Sequence, residues 1–398
     1  MNEALIAGGG IAGMAAALAL AREGWKVTVC EEAPAPAEVG AGLQMSPNAT
    51  KVLRWLGVLD TVAAGAFRPR AAEMRDGQSG AWIYRATLDA AAEARWGAPY
   101  LHVHRADLLA TLTDAACKAG AEVRGGTAVT GYVLRPEGPA LKLADGGTLT
   151  ADLMIGADGI RSALRGQLNG PEEPEFTGQV AWRGTIPAAR LPDGLVAPDA
   201  TIWAGPGRHL VTYYLRGGSL VNFVAVDERA DWSAEGWSAP GDPGQLRRGF
   251  AGWHPNVTRL LDHVEETFLW GLFGRPAQVR WVDGPVVLIG DAAHPMLPFM
   301  AQGAAMALED VATLVHELRV GGDLPTALIA HEKRRWPRVT QVQHRSFANG
   351  QFFHKRSGVA RTGHWGLVSM VSRLAPGFAA GQLDWLYGYD ATEELGLA

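Results

Sequence analysis

Cysteine is nearly absent from this chain: Cys30 and Cys117 are the only two among 398 residues. That excludes a disulfide framework and a metal centre built on clustered thiolates, and it fits a reducing, cytoplasmic setting. An excess of positive charge is also lacking. With 36 Lys and Arg against 41 Asp and Glu, the net charge of −5 offers no attraction for nucleic acid or an anionic membrane. Long apolar runs are scarce. The stretch Ala4 to Ala21 is charge-free over eighteen residues, but it is mostly Ala and Gly and follows the acidic Glu3, so neither a membrane span nor a signal peptide is expected. There is no internal repeat and no low-complexity tail. The remaining bulk figures, 47% hydrophobic and 19% charged residues, describe a globular chain long enough for two intertwined domains.

Glycine, by contrast, is placed with purpose at the start. Ala4 to Ala7 is a short apolar run of strand length, and Gly8-Gly9-Gly10-Ile11-Ala12-Gly13 ends it with the G-x-G-x-x-G spacing at Gly8, Gly10 and Gly13. Helix formers follow from Ile11 to Arg22, with Ile11, Met14, Ala15 and Leu18 at helical spacing and a stop at Gly24. A second strand, Lys26 to Cys30, closes on Glu31 and Glu32. Gly8 permits the tight turn, Gly10 lets backbone approach a pyrophosphate, and Gly13 lets helix pack on strand. The helix start offers free N–H groups to phosphate, and an acid at the tip of the second strand accepts from a ribose. Glu31 stands in that place, with Glu32 beside it. A glycine turn that binds nothing explains the spacing alone; strand, helix, strand and acid in register predict a bound dinucleotide.

Further along, Gly40 to Ala49 brings glycines before a helix capped by Ser46 and Pro47, with a stripe of Val52, Leu53 and Leu56. Ala71 to Ala98 reads as a hairpin excursion. His102-Val103-His104 puts two imidazoles on one strand face without a third metal ligand nearby, and a helix follows over Asp107 to Lys118, with Arg105 at its start. Ala151 to Ile155 feeds Gly156-Ala157-Asp158-Gly159, either an ordinary Asp-capped turn or a second phosphate-type turn. Gln179 to Val226 is rich in Val, Ile, Trp and Tyr between Gly/Pro turns, which predicts a mostly antiparallel sheet. Within it, period two puts His209, Val211 and Tyr213 on one face, where a His and a Tyr either move a proton or finish a core. Gln245 to Trp270 is read as helical. Val286 to Ile289 is a buried strand ending in Gly290-Asp291-Ala292-Ala293-His294-Pro295, and a long helix is expected from about Ala304 to Leu318. From Leu324 onward, helix-like stretches alternate with Gly/Pro breaks and carry no readable chemistry.

These three turns, in this order and separation, resemble those of the single-component FAD-dependent aromatic hydroxylases, the family of p-hydroxybenzoate, salicylate and 3-hydroxybenzoate hydroxylases. The likeness runs to about residue 320, and GDAAHPMLPFMAQGAAMALEDV is its most specific part. The resemblance implies an α/β fold: a glutathione-reductase-type, Rossmann-like FAD domain (1–70, 98–176 and 275–320), an inserted, mostly antiparallel substrate domain (71–97 and 177–274) and C-terminal helices (321–398). It implies FAD as cofactor, NADH or NADPH and O2 as co-substrates, and no metal. Gly8, Gly10, Gly13 and Glu31 would hold the adenosine half, with Ile11, Ala12 and Glu32 adjoining. Arg105 and Asp158 would steady the pyrophosphate and riboflavin chain, and Asp291 would accept from the ribityl hydroxyls. Gly42, Gly290, Pro298, Gly303 and Ala304 complete that set. The helix near Gly303 would aim its positive end at the flavin pyrimidine. Arg161 and Arg165 are candidates for the nicotinamide co-substrate.

The run His209 to Tyr214 is similar to the corresponding strand of 6-hydroxynicotinate 3-monooxygenase, with Gln44 and Phe299 standing where that enzyme has histidines. The resemblance therefore implies a hydroxybenzoate-like phenol, activated by loss of its proton and hydroxylated through a flavin hydroperoxide, with His209 and Tyr213 catalytic. Gln44, His209, Tyr213, Pro298 and Phe299 would line the pocket. A pyridine or larger polycyclic substrate, and a non-catalytic FAD-binding redox sensor, remain alternatives. A homodimer is also left open.

Overall fold

The strand Glu3–Ala7 is buried over its last four residues and lies in the middle of a parallel sheet. In the computed structural model, residues 2–34, 42–136, 138–171, 175–230, 239–275, 280–356 and 358–397 are described. Among these, six strands order as Val282–Asp283, Val286–Leu288, Leu153–Gly156, Glu3–Ala7, Lys26–Cys30 and Glu122–Arg124. All pairings are parallel except that of Val282–Asp283 with its neighbour. The turns after Ala7, Cys30, Gly156 and Leu288 therefore line one edge, the carboxyl ends of the strands, where open α/β sheets bind ligands.

The helix Ile11–Arg22 explains the charge-free run. Every residue from Met14 to Leu20 is buried, because the helix packs between the sheet and the helices Arg105–Lys118 and Gly303–Val320. Gly13 is needed for that approach: a Cβ there would meet the Gly8 carbonyl oxygen at 2.0 Å and Ile6 Cγ2 at 3.3 Å.

A second sheet holds eight strands in the order Ala239–Gly241, Thr267–Gly274, Glu175–Pro187, Leu220–Glu228, Arg208–Leu215, Ala200–Gly205, Ala71–Asp76 and Trp82–Thr87. Only the pairing of Ala200–Gly205 with Ala71–Asp76 is parallel, so the sheet is mostly antiparallel, and the 71–87 hairpin belongs to it. One face buries Trp182, Leu210 and Phe223 against the helices Pro243–Gly249 and Pro255–Asp262. The helix expected over Gln245 to Trp270 does not run that far. Thr267–Gly274 is a strand paired with Glu175–Pro187, because its Thr, Phe, Leu and Trp side chains gain a ladder and a half-buried sheet face.

The tail also differs from expectation. Leu324–Phe353 is one helix of 30 residues that passes straight through Pro337 and Gly350. Pro337 removes a helical bond, a cost of about 3 kcal/mol. A buried stripe of Ala327, Leu328, His331, Arg335, Val339, Val342, Ser346, Gly350 and Phe353 outweighs it. Another helix, Gly358–Leu374, packs on Trp82–Thr87 at the sheet's far edge. Among the described residues no helix is long and apolar enough to cross a membrane.

Candidate active site

The four turns at the carboxyl edge build a cradle. Gly8 takes φ +98°, and a Cβ there would stand 2.4 Å from the Ala157 carbonyl oxygen, so the first turn rests on the turn holding Asp158. A Cβ on Gly290 would lie 3.0 Å from Ala12 Cβ, which joins the first turn to the last. The first helical bond runs from Met14 N–H to Gly10 at 2.9 Å, so the N–H groups of Ile11, Ala12 and Gly13 have no helical acceptor. Around Gly10 a Cβ would meet nothing within 4 Å: the turn is open on the side where a phosphate would approach. Glu31 accepts from the N–H of Gly9 at 2.6 Å and of Ala33 at 2.9 Å, which fixes its carboxylate against the glycine turn. Glu32 is exposed beside it.

Two acids in the cradle are incompletely partnered. Asp158 Oδ2 accepts from Ala163 N–H at 2.8 Å, while its buried Oδ1 has no partner. Burial raises its pKa. Asp291 makes no hydrogen bond among the described residues, and its oxygen would lie 3.8 Å from a Cβ on Gly303, at the start of the 18-residue helix Gly303–Val320. It is accessible, yet walled by protein. This enclosure raises its pKa, and Arg105 and His294 oppose the rise. Arg161 is exposed, whereas Arg165 is buried and donates to Ala293 O at 2.7 Å and Ala292 O at 3.3 Å. Arg165 therefore bolts the Gly290 turn in place and is not available to a nicotinamide.

The second sheet supplies the facing wall. His209, Val211 and Tyr213 share one face of Arg208–Leu215, as period two required, and Val211 pairs with Ile202 and Val224 on its neighbours. Ile202, Val211 and Val224 are partly exposed in the middle of an otherwise buried sheet. Arg183, opposite Val224, adds a guanidinium to the same row, stacked over the Trp270 ring at 4.8 Å. Burial and the like charge of Arg105 both lower its pKa.

His209 and Tyr213 are not bonded to each other. Tyr213 Oη donates to the Gly42 carbonyl at 2.7 Å, and Asn222 Oδ1 accepts from Gly42 N–H at 2.9 Å, so both tie the strand Gly42–Met45 to the second sheet. Gly40 and Ala41 lie outside the described residues. Gln44 accepts from Tyr100 Oη at 2.7 Å. Pro298 opens a short turn carrying Phe299, whose ring meets His209 edge-on at 5.5 Å. His209 Nδ1 lies 2.7 Å from His354 Nε2 on the tail. Burial, then the neighbouring His354, depresses the His209 pKa far below its ordinary value, so the imidazole is neutral.

Comparison with known proteins decides the family. Residues 1–346 match the FAD binding domain family. The 3-amino-4-hydroxybenzoate 2-monooxygenase of Streptomyces platensis is 38% identical, over 97% of this chain and 96% of that protein. The 3-hydroxybenzoate 6-hydroxylase 1 of Aquipseudomonas alcaligenes is 34% identical, over 99% of both. A salicylate hydroxylase substrate complex superposes with a TM-score of 0.83 at 26% identity, covering 100% of this chain and 97% of the other. The chain belongs to the FAD-dependent aromatic monooxygenases. FAD fits the cradle: an open glycine turn, an acid fixed at the second strand's tip, an unpartnered buried oxygen on Asp158 and the accessible carboxylate of Asp291.

What sequence reasoning missed in this monooxygenase is the tail. Asp310 accepts from Gly290 N–H at 2.9 Å, lies 2.5 Å from His294 Nε2 and pairs with Arg335 at 2.7 Å. Glu309 accepts from Asn48 at 2.8 Å, from Arg335 at 2.8 Å and from Arg338 at 2.6 Å. Gln302 links Asn48 and Ser46 to the same helix start. Burial pushes both acids up, but the surrounding charges together outweigh it and hold them below their ordinary values. The Asp291 turn is thus held from behind by two buried acids and two tail arginines. The readable signal was there: His331, Arg335 and Arg338 lie at helical spacing on one face, matching the adjacent acids Glu309 and Asp310.

Proposed function

We propose that this monooxygenase hydroxylates a small phenolic acid of the hydroxybenzoate class, with NADH or NADPH as reductant and O2 as oxygen source. The observation that carries this reading is a buried imidazole, His209, whose burial disfavours its charged form, on the face that presents Ile202, Val211 and Val224. An apolar floor suits a flat ring, and a neutral ring nitrogen accepts a phenol's proton, which makes the ring electron-rich. Arg183, in the same row, is placed to receive the carboxylate. The relatives named for hydroxybenzoates, and the neighbour named for salicylate, support the same substrate class.

When bound, FAD supplies the oxygen chemistry, held by the Gly8–Gly13 turn, Glu31, Arg105, Asp158 and Asp291. The chain's own part is to position and to move a proton. His209 accepts at Nε2, which has no partner among the described residues. Tyr213 holds Gly42 against the second sheet, and Phe299 and Phe353 keep water from the imidazole. The N-terminus of Gly303–Val320 faces Asp291 and favours negative charge there. The scarcity of cysteine and the proposed use of NAD(P)H support a cytoplasmic setting.

The test is turnover of a hydroxybenzoate panel under labelled oxygen, with products read by mass spectrometry. One acid should gain a single labelled oxygen atom. Label found only in peroxide, with every acid unchanged, would reject the proposal.

A further inference from the structure

Depressed by burial, His209 is a poor place for a proton to stay. An imidazolium there would lack water and would stand beside a second imidazole. A phenol proton taken at Nε2 must therefore leave from Nδ1 in the same event. The structure shows where it goes. His209 Nδ1 lies 2.7 Å from His354 Nε2, and His354 Nδ1 lies 3.1 Å from Glu228 Oε1. Both imidazoles are buried, at 2% and 4% exposure, while the Glu228 side chain is 30% exposed. Glu228 borders an open cleft of about 460 Å³ whose other walls include Gln179, Arg229, Phe347, Gln351 and Arg356.

We propose that His209, His354 and Glu228 form a proton relay between the substrate's hydroxyl and solvent in this cleft. The inference rests on the reading that a phenol is the substrate. The phenol O–H bond breaks and an N–H bond forms at His209 Nε2. The proton on His209 Nδ1 passes to His354 Nε2, and that on His354 Nδ1 passes to Glu228, which releases it to water. One proton enters and one leaves, no ring carries a lasting charge, and the phenolate remains. Running the relay backward returns a proton to the product's oxygen and resets both tautomers.

The charges facing the relay fit this direction. Burial lowers the His354 pKa, with Arg208 and Arg356 acting in the same sense, and Glu228 opposes them. Burial raises Glu228, but Arg356 and His354 together hold it below its ordinary value, so it gives a proton up readily. Gln179 is the other side chain on His354, at 3.5 Å, and it is uncharged. Arg229, on the cleft wall, is paired with Asp227 at 3.2 Å.

The experiment uses the flavin-loaded enzyme and follows phenolate formation on binding, by stopped-flow absorbance across pH, alongside product per NAD(P)H. His354→Gln and Glu228→Gln should keep FAD and bind the phenol. Phenolate formation should slow by at least about tenfold, and its pH profile should change. Imidazole added to the His354→Gln enzyme should restore part of the rate through the cleft, and Glu228→Asp should retain most of it. A purely structural role would show neither rescue. If His354→Gln loses FAD, Glu228→Gln, at a part-exposed position, decides the matter. A hydroxylating wild type whose variants match it at every pH overturns the relay alone. A wild type that ionises and hydroxylates no phenol overturns the functional reading as well.

Discussion

Asp291 is a carboxylate in a walled space without a hydrogen-bond partner among the described residues, an arrangement that makes sense once a polyol is bound. A hydrogen bond to a charged group contributes about 1.5–3 kcal/mol, so Asp291→Ala should weaken FAD binding by roughly 10- to 100-fold. The check is visible flavin absorbance per mole of purified protein. Full occupancy would remove Asp291 from the cradle. Arg183 makes a separate prediction: Arg183→Met should raise KM for a hydroxybenzoate by about tenfold or more and leave KM for an uncharged phenol nearly unchanged. Equal effects on both would show that it does not read the carboxylate. At this scale the sequence was informative where spacing implies geometry. The glycines, Glu31 and the shared face of His209 and Tyr213 all follow from short-range periodicity. His354 was not legible, because 145 residues separate it from His209 and only the fold brings them together.

Elements were legible when one period ran without conflict. The strand Glu3–Ala7, the helix Ile11–Arg22 and the helix Gly303–Val320 each carry an apolar pattern that local propensity supports. The misreadings came where local signals opposed burial. Pro337 and Gly350 suggested breaks in the tail, but a stripe buried against Gly303–Val320 overrode them. The first half of Thr267–Gly274 lost its helical reading because the whole strand pairs with one 85 to 99 residues earlier in sequence. The tail helix matters for function because Arg335 neutralises Glu309 and Asp310 behind the Asp291 turn. Arg335→Met would leave two buried carboxylates short of a cation, so a destabilisation of about 3–5 kcal/mol is expected. Urea unfolding of the flavin-free protein measures it. A change below about 1 kcal/mol would mean that Arg338 and His294 suffice.

For the whole molecule, the buried imidazoles set a pH dependence. Burial holds His102 at about 3 and His331 at about 4. Unfolded, each binds a proton near pH 6.5. Between those values the unfolded chain carries more protons than the folded one, so stability falls as the pH drops below about 6.5. Each contributes a slope of up to about 1.4 kcal/mol per pH unit, lost from the profile in His102→Asn or His331→Asn. Asp310, held low by His294 and Arg335 against its burial, adds a further loss below about pH 4. A Tm that stays level from pH 7 to pH 4.5 in the wild type would contradict this sign.

Gly42 and the Pro298–Met300 turn join the cofactor side of the molecule to the sheet that carries His209. The most direct test of the proposed hydroxylation through His209 is product formed per NAD(P)H consumed, with peroxide assayed, for wild type and His209→Gln on the best hydroxybenzoate. The wild type should give nearly one product per NAD(P)H with little peroxide. His209→Gln should retain FAD and lose at least about tenfold in product formation. Unchanged coupled hydroxylation in His209→Gln, or a wild type that no phenolic acid stimulates, would contradict it.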